Sequence, residues 1–359
     1  MPTRSETLLK AAALRAVFEG QGAAVVEPPI LQSAETLLDL YGEDIRARAY
    51  VTSDALRGEQ MLRPDFTVPV VQMHMAHGAD PARYTYAGEV FRRQEHDPSR
   101  ANEYIQVGYE VFDRTDPAAA DAEVFALISD ALAGLPVRPV TGDIGVLMAA
   151  VDGLDTTDRR KQALMRHIWR PRRFRALLDR FSGRVPMPAT RAALLAGEVS
   201  SAAPLIGLRS TAEIEARIAA LQEDAATPAI SLKQVQLIEA LLDVRASMPH
   251  ALSRLHDLAV DMPQIGRAVA RVVAREKALR ARGVDADDLV FEASYGRASM
   301  EYYDGFVFGF RAVARADLPA IASGGRYDAL TRRLGQGDAI PAVGGVMRPG
   351  LMLELEAAR

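Results

Sequence analysis

The sequence predicts an α+β protein in which an antiparallel sheet is flanked by helices and interrupted by a helical insertion. Residues 84–92 and 104–112 have the alternating pattern of strands and are joined by a polar loop. Residues 151–289 are instead rich in alanine, leucine and arginine and have little strand pattern. Strand-like segments return after that point, at residues 289–293, 302–313 and 321–323.

The first half of the chain supplies helices around the strand pair. Residues 5–19 carry apolar side chains at helical spacing, and residues 20–22 (Gly-Gln-Gly) end that helix. Residues 25–30 are expected to form a strand that runs into two prolines. Residues 68–77 and 117–135 are expected to form helices before and after the strand pair.

The chain is long enough for a main domain and a smaller one. We predict that residues 1–150 and 252–359 form the core and that residues 151–251 form a helical insertion domain. A long helix from about residue 251 to residue 282 is expected to lead back into the core. Residues 327–334 are expected to form a short helix.

The composition is that of an ordinary globular protein, with 49% hydrophobic and 25% charged residues. No run approaches the roughly eighteen apolar residues of a membrane span, and the N-terminal segment lacks the apolar core of a signal peptide. We therefore expect a cytoplasmic protein without a membrane segment. The absence of cysteine excludes disulfides and Cys-based zinc sites, and a net charge of −4 argues against a nucleic-acid partner.

One face of the predicted strand pair suits a ligand. Side chains alternate along a strand, so Gln106, Gly108 and Glu110 share one face, whereas the intervening residues are apolar and are expected to pack against helices. Gly108 is expected to leave room over the sheet between two hydrogen-bonding groups. At the end of the first strand, the guanidinium of Arg92 suits a carboxylate or a phosphate.

These residues resemble motif 2 of the class II aminoacyl-tRNA synthetases, and specifically that of histidyl-tRNA synthetase. The family pattern is Phe-Arg-x-Glu, a loop, and Gln-x-Gly-x-Glu-x-Phe. Here residues 91–94 are Phe-Arg-Arg-Gln, and residues 106–112 are Gln-Val-Gly-Tyr-Glu-Val-Phe. The resemblance implies a class II aminoacyl-tRNA synthetase-like core, with residues 25–30 as a motif 1 that lines a homodimer interface.

Three further segments resemble histidyl-tRNA synthetase in the same order. Residues 62–67 (Leu-Arg-Pro-Asp-Phe-Thr) resemble its Leu-Arg-Pro-Glu-Gly-Thr, and residues 322–328 (Ala-Ser-Gly-Gly-Arg-Tyr-Asp) resemble its Ala-x-Gly-Gly-Arg-Tyr-Asp. Residues 301–308 resemble the histidine-specific motif Arg-Gly-Leu-Asp-Tyr-Tyr-x-x-x-Val-Phe. Each match alone is weak, but four matches in order at compatible spacing are strong.

The resemblance implies a pocket for histidine. Asp65 and Thr67 would receive the amino group, with Gln106 between them, and Glu110 and Tyr303 would bond the two ring nitrogens of the imidazole. The residues predicted for this pocket are Asp65, Thr67, Arg92, Gln106, Glu110, Tyr302, Tyr303 and Gly324. A buried structural network without a ligand explains the same residues, so both interpretations stay open on the sequence.

Several synthetase residues are replaced, in a way that predicts the loss of adenylation. The motif 2 glutamate, which helps to hold the adenine end of ATP, is Gln94, and the arginine that engages the carboxylate of histidine aligns with Ala298. In motif 3 the family has Gly-x-Glu-Arg, whereas this chain has Gly350-Leu351 and a lone Arg348 three positions early. Phosphoryl chemistry depends on such positioned cations. We also expect no anticodon-binding domain, because the sequence ends just past motif 3.

This pattern of losses resembles the regulatory subunits of ATP phosphoribosyltransferase, a family of shortened paralogues of histidyl-tRNA synthetase. The resemblance implies a non-catalytic protein without cofactor or metal that assembles with a short-form ATP phosphoribosyltransferase catalytic subunit. That partner joins ATP to phosphoribosyl pyrophosphate in the first step of histidine biosynthesis. The resemblance further implies a homodimeric core, activation of the partner and feedback inhibition by histidine. tRNA is not an expected partner.

Two alternative functions and two surface features stay open on the sequence. An active amino-acid-adenylating enzyme is the first alternative function, and a stand-alone histidine sensor is the second. Residues 159–180 hold nine Lys or Arg and one acid, Asp179, which fits a docking face for an acidic partner or nucleic acid. Counter-charges from neighbouring helices are the favoured explanation. His74 and His77 lie one helical turn apart, but no carboxylate that would complete a metal site is evident.

Overall fold

The computed structural model describes residues 2–41, 45–94, 100–198, 206–297 and 302–358. Up to residue 152 its elements are α1 (Arg4–Gly20), β1 (Ala24–Val25), β2 (Leu31–Ser33), α2 (Ala34–Tyr41), α3 (Ile45–Arg48), β3 (Val51–Asp54), β4 (Gly58–Leu62), α4 (Thr67–His77), β5 (Ala82–Phe91), β6 (Glu103–Phe112), α5 (Pro117–Ala131), β7 (Val137–Asp143) and α6 (Ile144–Asp152). The later elements are α7 (Asp158–Arg166), α8 (Pro171–Phe181), α9 (Ala189–Leu195), α10 (Thr211–Ala226), α11 (Leu232–Leu242), β8 (Arg245–Ser247), α12 (Met248–Asp261), a 3₁₀ turn (Pro263–Ile265), α13 (Gly266–Ala281), β9 (Val290–Glu292), β10 (Phe306–Ala312), β11 (Ala322–Arg326), α14 (Asp328–Leu334), β12 (Ala342–Met347) and α15 (Pro349–Ala357).

A nine-stranded sheet runs through the centre of the molecule, in the order β1-β5-β6-β12-β11-β10-β7-β9-β8. Its neighbouring strands are antiparallel except in two pairs, β1 with β5 and β7 with β9, which are parallel. The predicted antiparallel sheet is therefore a mixed sheet with an antiparallel centre. A second sheet contains three short antiparallel strands in the order β2-β4-β3.

Helices α1 and α5 cover the apolar face of β6. The odd-numbered residues from 105 to 111 are all buried. The ring of Tyr109 lies 5.1 Å from that of Phe18 in α1, and its hydroxyl donates to Glu123 of α5 at 2.6 Å. This confirms the expectation that the apolar face of the strand pair packs against helices.

A buried cluster of charges ties helices α5 and α13 to the sheet. Arg275 of α13 donates from Nε to Asp121 of α5 at 2.7 Å, and from Nη2 to Asp143 at the end of β7 at 2.9 Å. Arg326 of β11 donates from Nη2 to the other oxygen of Asp121 at 2.6 Å. Removal of one partner from such a buried pair costs about 3–5 kcal/mol, because the remaining charge is left uncompensated.

The first-half elements follow the predictions from the sequence, with two shortened segments. Helices α1 and α4 and strands β5 and β6 lie within two residues of their predicted bounds. Helix α5 ends at Ala131, four residues early, and Gly134 follows in the left-handed region with φ +82°. Strand β1 has only two residues, because Pro28 and Pro29 of the predicted strand have no N–H to donate.

The returning helix and several strands differ from the predictions. The single helix expected over residues 251–282 is two helices, α12 and α13, separated by the 3₁₀ turn at Pro263. Proline lacks an N–H and clashes with the preceding helical turn, so the helix breaks there. Strands β2, β3, β4, β7, β8 and β12 were not predicted, and the segment that resembles motif 3 forms the central strand β12.

The middle of the chain is helical. Among the described residues, every regular element from α7 to α11 is a helix. The boundaries given above for an insertion domain, at residues 151 and 251, stay a prediction. In the part of the chain that the structure describes, no helix combines the length and the apolar character needed to cross a membrane.

Candidate functional site

A cavity of about 210 Å³ lies over the centre of the sheet, where β6, β12, β11 and β10 are neighbours. Drug-sized ligands occupy about 300–1,000 Å³, so this cavity suits a smaller molecule. Its charged lining residues are Arg48, Asp65, Arg92 and Arg348. The rest of the lining consists of Thr67, Gln106, Tyr295, Tyr302, Tyr303, Val307, Phe308, Ser323, Gly324, Gly344, Gly345 and Val346.

Glycines form much of the cavity floor. Gly324 of β11 pairs with Gly345 of β12, and the next residue pair is also glycine with glycine. A Cβ atom on Gly324 would lie 2.3 Å from the carbonyl oxygen of Gly344, and one on Gly345 would lie 2.5 Å from Cδ1 of Ile128 in α5. Neither position has room for a side chain, so the floor is bare backbone.

The structure brings together seven of the eight residues predicted for the pocket. They come from the segment that leads into α4 and its first residue, the residue after β5, strand β6, the segment before β10, and β11. The seven lining residues are Asp65, Thr67, Arg92, Gln106, Tyr302, Tyr303 and Gly324. The eighth, Glu110, lies outside the lining. That these residues bind histidine stays a prediction.

Gln106 is the lining residue whose polar side-chain atoms lack hydrogen-bond partners. It is fully buried, and neither its Nε2 nor its Oε1 has a hydrogen-bond partner among the described residues. A buried polar group without a partner costs about 1–3 kcal/mol, so buried amides are almost always bonded. Because Gln106 lines the cavity, a polar ligand can supply a hydrogen-bond partner for its donor and another for its acceptor.

The space above Gly108 is filled by a side chain from the neighbouring strand. Tyr86 lies opposite on β5, and a Cβ atom on Gly108 would be 2.1 Å from Cζ of its ring. The same ring stacks on Phe66, with centroids 4.2 Å apart. The expectation that Gly108 leaves room for a ligand is therefore wrong, because the glycine makes room for a tyrosine.

Glu110 lies in a cluster of protein hydroxyl groups and does not line the cavity. Tyr86 donates to its Oε1 at 2.8 Å, Tyr327 to its Oε2 at 2.5 Å, and Thr67 to its Oε1 at 3.3 Å. Burial raises the pKa of Glu110 to about 7, although the three hydroxyl donors lower it. Glu110 thus has protein partners where the resemblance implied a ligand nitrogen.

Thr67 connects Glu110 with the cavity. Its hydroxyl donates to Glu110 and accepts a hydrogen bond from the hydroxyl of Tyr302 at 3.3 Å. Beside it, Asp65 accepts the backbone N–H of Thr67 at 3.1 Å, and Nη2 of Arg92 lies 3.9 Å from Oδ2 of Asp65. This arrangement places a carboxylate and a hydroxyl side by side, and both can accept hydrogen bonds from an ammonium group.

Analysis of the sequence missed four polar lining residues: Arg48, Tyr295, Ser323 and Arg348. Arg348 was set aside because it lies three positions before the expected motif 3 arginine. It follows the last residue of β12, next to β11, and its Nη1 donates to the carbonyl oxygen of Ala320 at 2.5 Å. Burial lowers the pKa of Arg348. Among the described lining residues, three guanidinium groups stand against one carboxylate, a positive balance that suits an anionic group.

Two of the replaced synthetase positions stand outside the cavity lining. Neither Gln94 nor Leu351 belongs to it. Arg297 is buried and faces the helical region, where its Nε donates to the carbonyl oxygen of Ile168 at 2.8 Å and its guanidinium lies 4.8 Å from the ring centroid of Phe174. Ala298 and Glu301, the first residue of the segment 301–308, lie outside the described residues.

His74 and His77 have different surroundings. His74 is buried, stacks on Phe112 with centroids 3.8 Å apart, and places Nδ1 3.1 Å from the hydroxyl of Tyr84. His77 is exposed. Within the described ranges, no group of three or more His, Asp or Glu residues is placed to hold a metal ion.

The sequence matches known proteins over nearly its whole length. The family model of histidyl-tRNA synthetase matches residues 3–200 and 210–349. The ATP phosphoribosyltransferase regulatory subunit of Brucella anthropi is 32% identical over 353 residues, which cover 92% of this chain and 93% of the relative. The subunit of the same name from Brucella ovis is 32% identical over 359 residues, with the same coverage.

Solved structures show the same fold. An ATP phosphoribosyltransferase regulatory subunit/histidyl-tRNA synthetase from Bacillus halodurans has a TM-score of 0.70 at 20% identity, over 99% of this chain and 80% of that chain. A histidine–tRNA ligase subunit from Alicyclobacillus acidocaldarius has a TM-score of 0.62 at 23% identity, over 99% of this chain and 93% of that chain. The fold is thus that of the class II histidyl-tRNA synthetases, and the chain belongs to the histidyl-tRNA synthetase-like family of ATP phosphoribosyltransferase regulatory subunits.

Proposed function

We propose that this chain is the regulatory subunit of a short-form ATP phosphoribosyltransferase and that histidine is the effector bound in its cavity. The names of its curated relatives support the regulatory role in histidine biosynthesis. The observation that carries the ligand proposal is Gln106, a fully buried amide whose donor and acceptor both lack partners among the described residues. A ligand with several polar groups and the size of an amino acid satisfies it within about 210 Å³.

We infer that the cavity does not carry out adenylation. Its volume of about 210 Å³ suits one amino acid, and a nucleotide beside the amino acid needs more space. Gln94 and Leu351 replace residues that hold ATP in the synthetases, and neither lines the cavity. The chain therefore acts on its partner's reaction and has no reaction of its own.

The charges of the lining suit the two ends of an amino acid. Asp65 and the hydroxyl of Thr67 receive the ammonium group. At the other end, Arg348 supplies the guanidinium for the carboxylate, together with Arg92 and the exposed Arg48. Arg348 thus takes over the role of the synthetase arginine that aligns with Ala298.

The imidazole meets neutral hydrogen-bonding groups. Burial raises the pKa of Tyr303, so its hydroxyl stays protonated near neutral pH. Gln106 offers both a donor and an acceptor and therefore accommodates either tautomer of the ring. Glu110 acts indirectly, through Thr67, rather than by contact with a ring nitrogen.

The N-terminal part of the chain supports a homodimer. Eight large apolar side chains are exposed within residues 8–56: Leu8, Leu9, Val17, Val25, Ile30, Leu31, Val51 and Leu56. Residues 25–30, which resemble motif 1, supply two of them. Exposed apolar side chains that form one patch mark protein interfaces. We propose that a second copy covers this surface, and the net charge of −4 gives no support to tRNA as a partner.

The deciding experiment measures phosphoribosyl-ATP formation by a short-form catalytic subunit, with and without this chain, across a histidine titration. We expect activation by the chain and its reversal by histidine. Gln106→Leu should still activate but should need at least about tenfold more histidine, because it loses the ligand's hydrogen bonds. Gln94→Leu, the same change outside the cavity, is the matched control. No activation and no complex would overturn the regulatory role. A normal histidine response of Gln106→Leu would move the effector site elsewhere.

A further inference from the structure

Several helices of the middle region bring arginine side chains to one carboxylate. Asp224 of α10 lies 2.7 Å from Nε of Arg160 in α7. It also lies 3.7 Å from Nη2 of Arg180 in α8 and 3.7 Å from Nη2 of Arg191 in α9. Arg217 stands two helical turns before Asp224 on α10, on the same side of the helix, and contributes to the positive charge at Arg180. These residues are named here the arginine cluster.

The innermost arginine already neutralises the single acid. Arg160 is buried and donates from Nε to Oδ1 of Asp224 at 2.7 Å, from Nη1 to the carbonyl oxygen of Pro228 at 2.7 Å, and from Nη2 to the carbonyl oxygen of Asp224 at 2.6 Å. It thereby closes the C-terminal end of α10. Arg160 is a structural residue, and its charge accounts for that of Asp224.

The outer arginines are left with surplus charge. Arg180 and Arg191 both approach Oδ2 of Asp224, yet at 3.7 Å neither forms a hydrogen bond with it. The Nε of Arg180 is buried and has no hydrogen-bond partner among the described residues. Burial lowers the pKa of Arg180, and the neighbouring arginines lower it further. The nearby acid Asp179 faces another arginine, Arg184.

We propose that the outer part of the arginine cluster, Arg180, Arg191 and Arg217, binds a small multivalent oxyanion of the phosphate type. Guanidinium groups recognise the oxygens of phosphate with paired N–H donors. Two guanidinium groups that approach one point, where one carboxylate is already neutralised, match a dianion better than a single carboxylate. The side chain of Arg191 is only 18% exposed, which favours a small ion over the surface of a macromolecule. This site is separate from the histidine cavity and goes beyond the proposed function.

Thermal unfolding of the full chain tests the proposal. Melting temperatures are compared in sodium chloride, inorganic phosphate, pyrophosphate and ATP at equal ionic strength, and affinities are measured by calorimetry. We expect phosphate-type anions to raise the melting temperature above its value in chloride. Preference for the inorganic ions over ATP identifies a free oxyanion as the ligand, and the reverse preference identifies the phosphate group of a nucleotide.

Three variants separate binding from structure. Arg180→Gln and Arg191→Gln should each weaken phosphate binding about tenfold, as expected for one charge-assisted hydrogen bond. Arg180→Gln should also leave unchanged or raise the melting temperature in chloride, because it removes like-charge repulsion. Arg173→Gln, an exposed arginine of the same helix, is the control and should behave as the unchanged chain.

Two outcomes would overturn the site. The first is a melting temperature that depends on ionic strength alone, with equal values in phosphate and chloride. The second is that Arg180→Gln lowers the melting temperature equally in both salts, which would make the cluster a structural partner of Asp224. Binding of an acidic peptide without binding of phosphate or pyrophosphate would also contradict it, in favour of a protein partner. Because histidine binding should be unchanged in Arg180→Gln, failure here leaves the proposed function intact.

Discussion

Gln106 and Glu110 stand on the same face of β6, and both are buried, but their polar atoms have opposite surroundings. Glu110 accepts hydrogen bonds from three hydroxyl groups, whereas neither polar atom of Gln106 has a partner within the described residues. One face of β6 therefore carries a carboxylate that is enclosed by protein hydroxyl groups, here called the closed cluster, and an amide that is open to a ligand, here called the open residue. Burial alone does not distinguish a ligand-binding residue from a structural one. The two kinds of residue are distinguished by whether their buried polar atoms find hydrogen-bond partners within the protein.

The closed cluster should be the more important for stability. Glu110→Ala leaves the hydroxyls of Thr67, Tyr86 and Tyr327 without their acceptor, so we expect the free energy of unfolding to fall by about 3–5 kcal/mol. Urea denaturation of the purified chain measures this loss. Because this variant is at risk of not folding, Glu110→Gln is the companion variant, with the same size and one acceptor oxygen. A loss below about 1 kcal/mol for Glu110→Ala would contradict the closed cluster.

The raised pKa of Glu110 predicts a dependence of stability on pH. The carboxyl has a pKa of about 7 when folded and an ordinary value of 4.5, so between these values the folded state binds more protons than the unfolded state. Stability from this group is therefore fully present below about pH 4.5 and is lost as the pH rises through 7, by about 3 kcal/mol in total.

The difference in unfolding free energy between the unchanged chain and Glu110→Gln isolates this effect. It should shift by about 3 kcal/mol in favour of the variant as the pH rises over that window. Asp304, whose pKa burial also raises to about 7, is present in both proteins and cancels. A flat difference across the window would mean that Glu110 is ionised at all these pH values.

The open residue should matter for binding and little for folding. Gln106→Leu replaces an unbonded amide by an apolar side chain of similar size, so the free energy of unfolding should not fall and should rise by up to about 1–3 kcal/mol. Histidine affinity should fall about tenfold to a hundredfold, which calorimetry measures directly. The comparison with Glu110 breaks down if Gln106→Leu is strongly destabilised while histidine still binds normally.

The smallest expected effect is optical. Trp169, the single tryptophan, donates its indole N–H to the carbonyl oxygen of the lining residue Tyr303 at 3.3 Å. Histidine in contact with Tyr303 should therefore produce a small, saturable change in tryptophan emission. The change should be absent in Gln106→Leu at the same histidine concentration. An emission spectrum unaffected by saturating histidine would show that the cavity and the helical region are not linked at this contact.

Local patterns in the sequence were sufficient to predict many elements. They were not sufficient to predict how side chains of neighbouring strands lie against each other. The alternation of β6 predicted which of its residues share a face, and helical spacing predicted α1 and α4. The ring of Tyr86 over Gly108 depends on the register between β5 and β6, which a single strand does not reveal. The break at Pro263 was available in the sequence, because proline interrupts helices, but the apolar pattern on both sides of it led to one long helix.

The site was predictable where a motif carried it and hidden where the fold alone assembles it. Seven residues of the predicted pocket line the cavity because they belong to segments that resemble synthetase motifs. Arg48 lies outside those segments, and Arg348 lies in the motif 3 segment but three positions before the expected arginine, so neither was assigned to the pocket. The hydrogen bonds that enclose Glu110 depend in part on Tyr327, more than two hundred residues later in the chain.

At the glycine floor, the layer between the cavity and helix α5 is thin, because Gly324 and Gly345 have no side chains. Where Gly324 and Gly345 face each other, a molecule in the cavity touches one side of peptide planes whose other side touches Ile128 of α5. The ring of Phe308 packs tightly against the same two glycines, with its Cζ 2.5 Å from where a Cβ of Gly324 would lie and 2.9 Å from where one of Gly345 would lie. A slight movement of these two strands on the cavity side is therefore the same movement on the helix side. These two strands therefore couple the cavity mechanically to α5, the helix that carries Asp121 of the buried charge cluster.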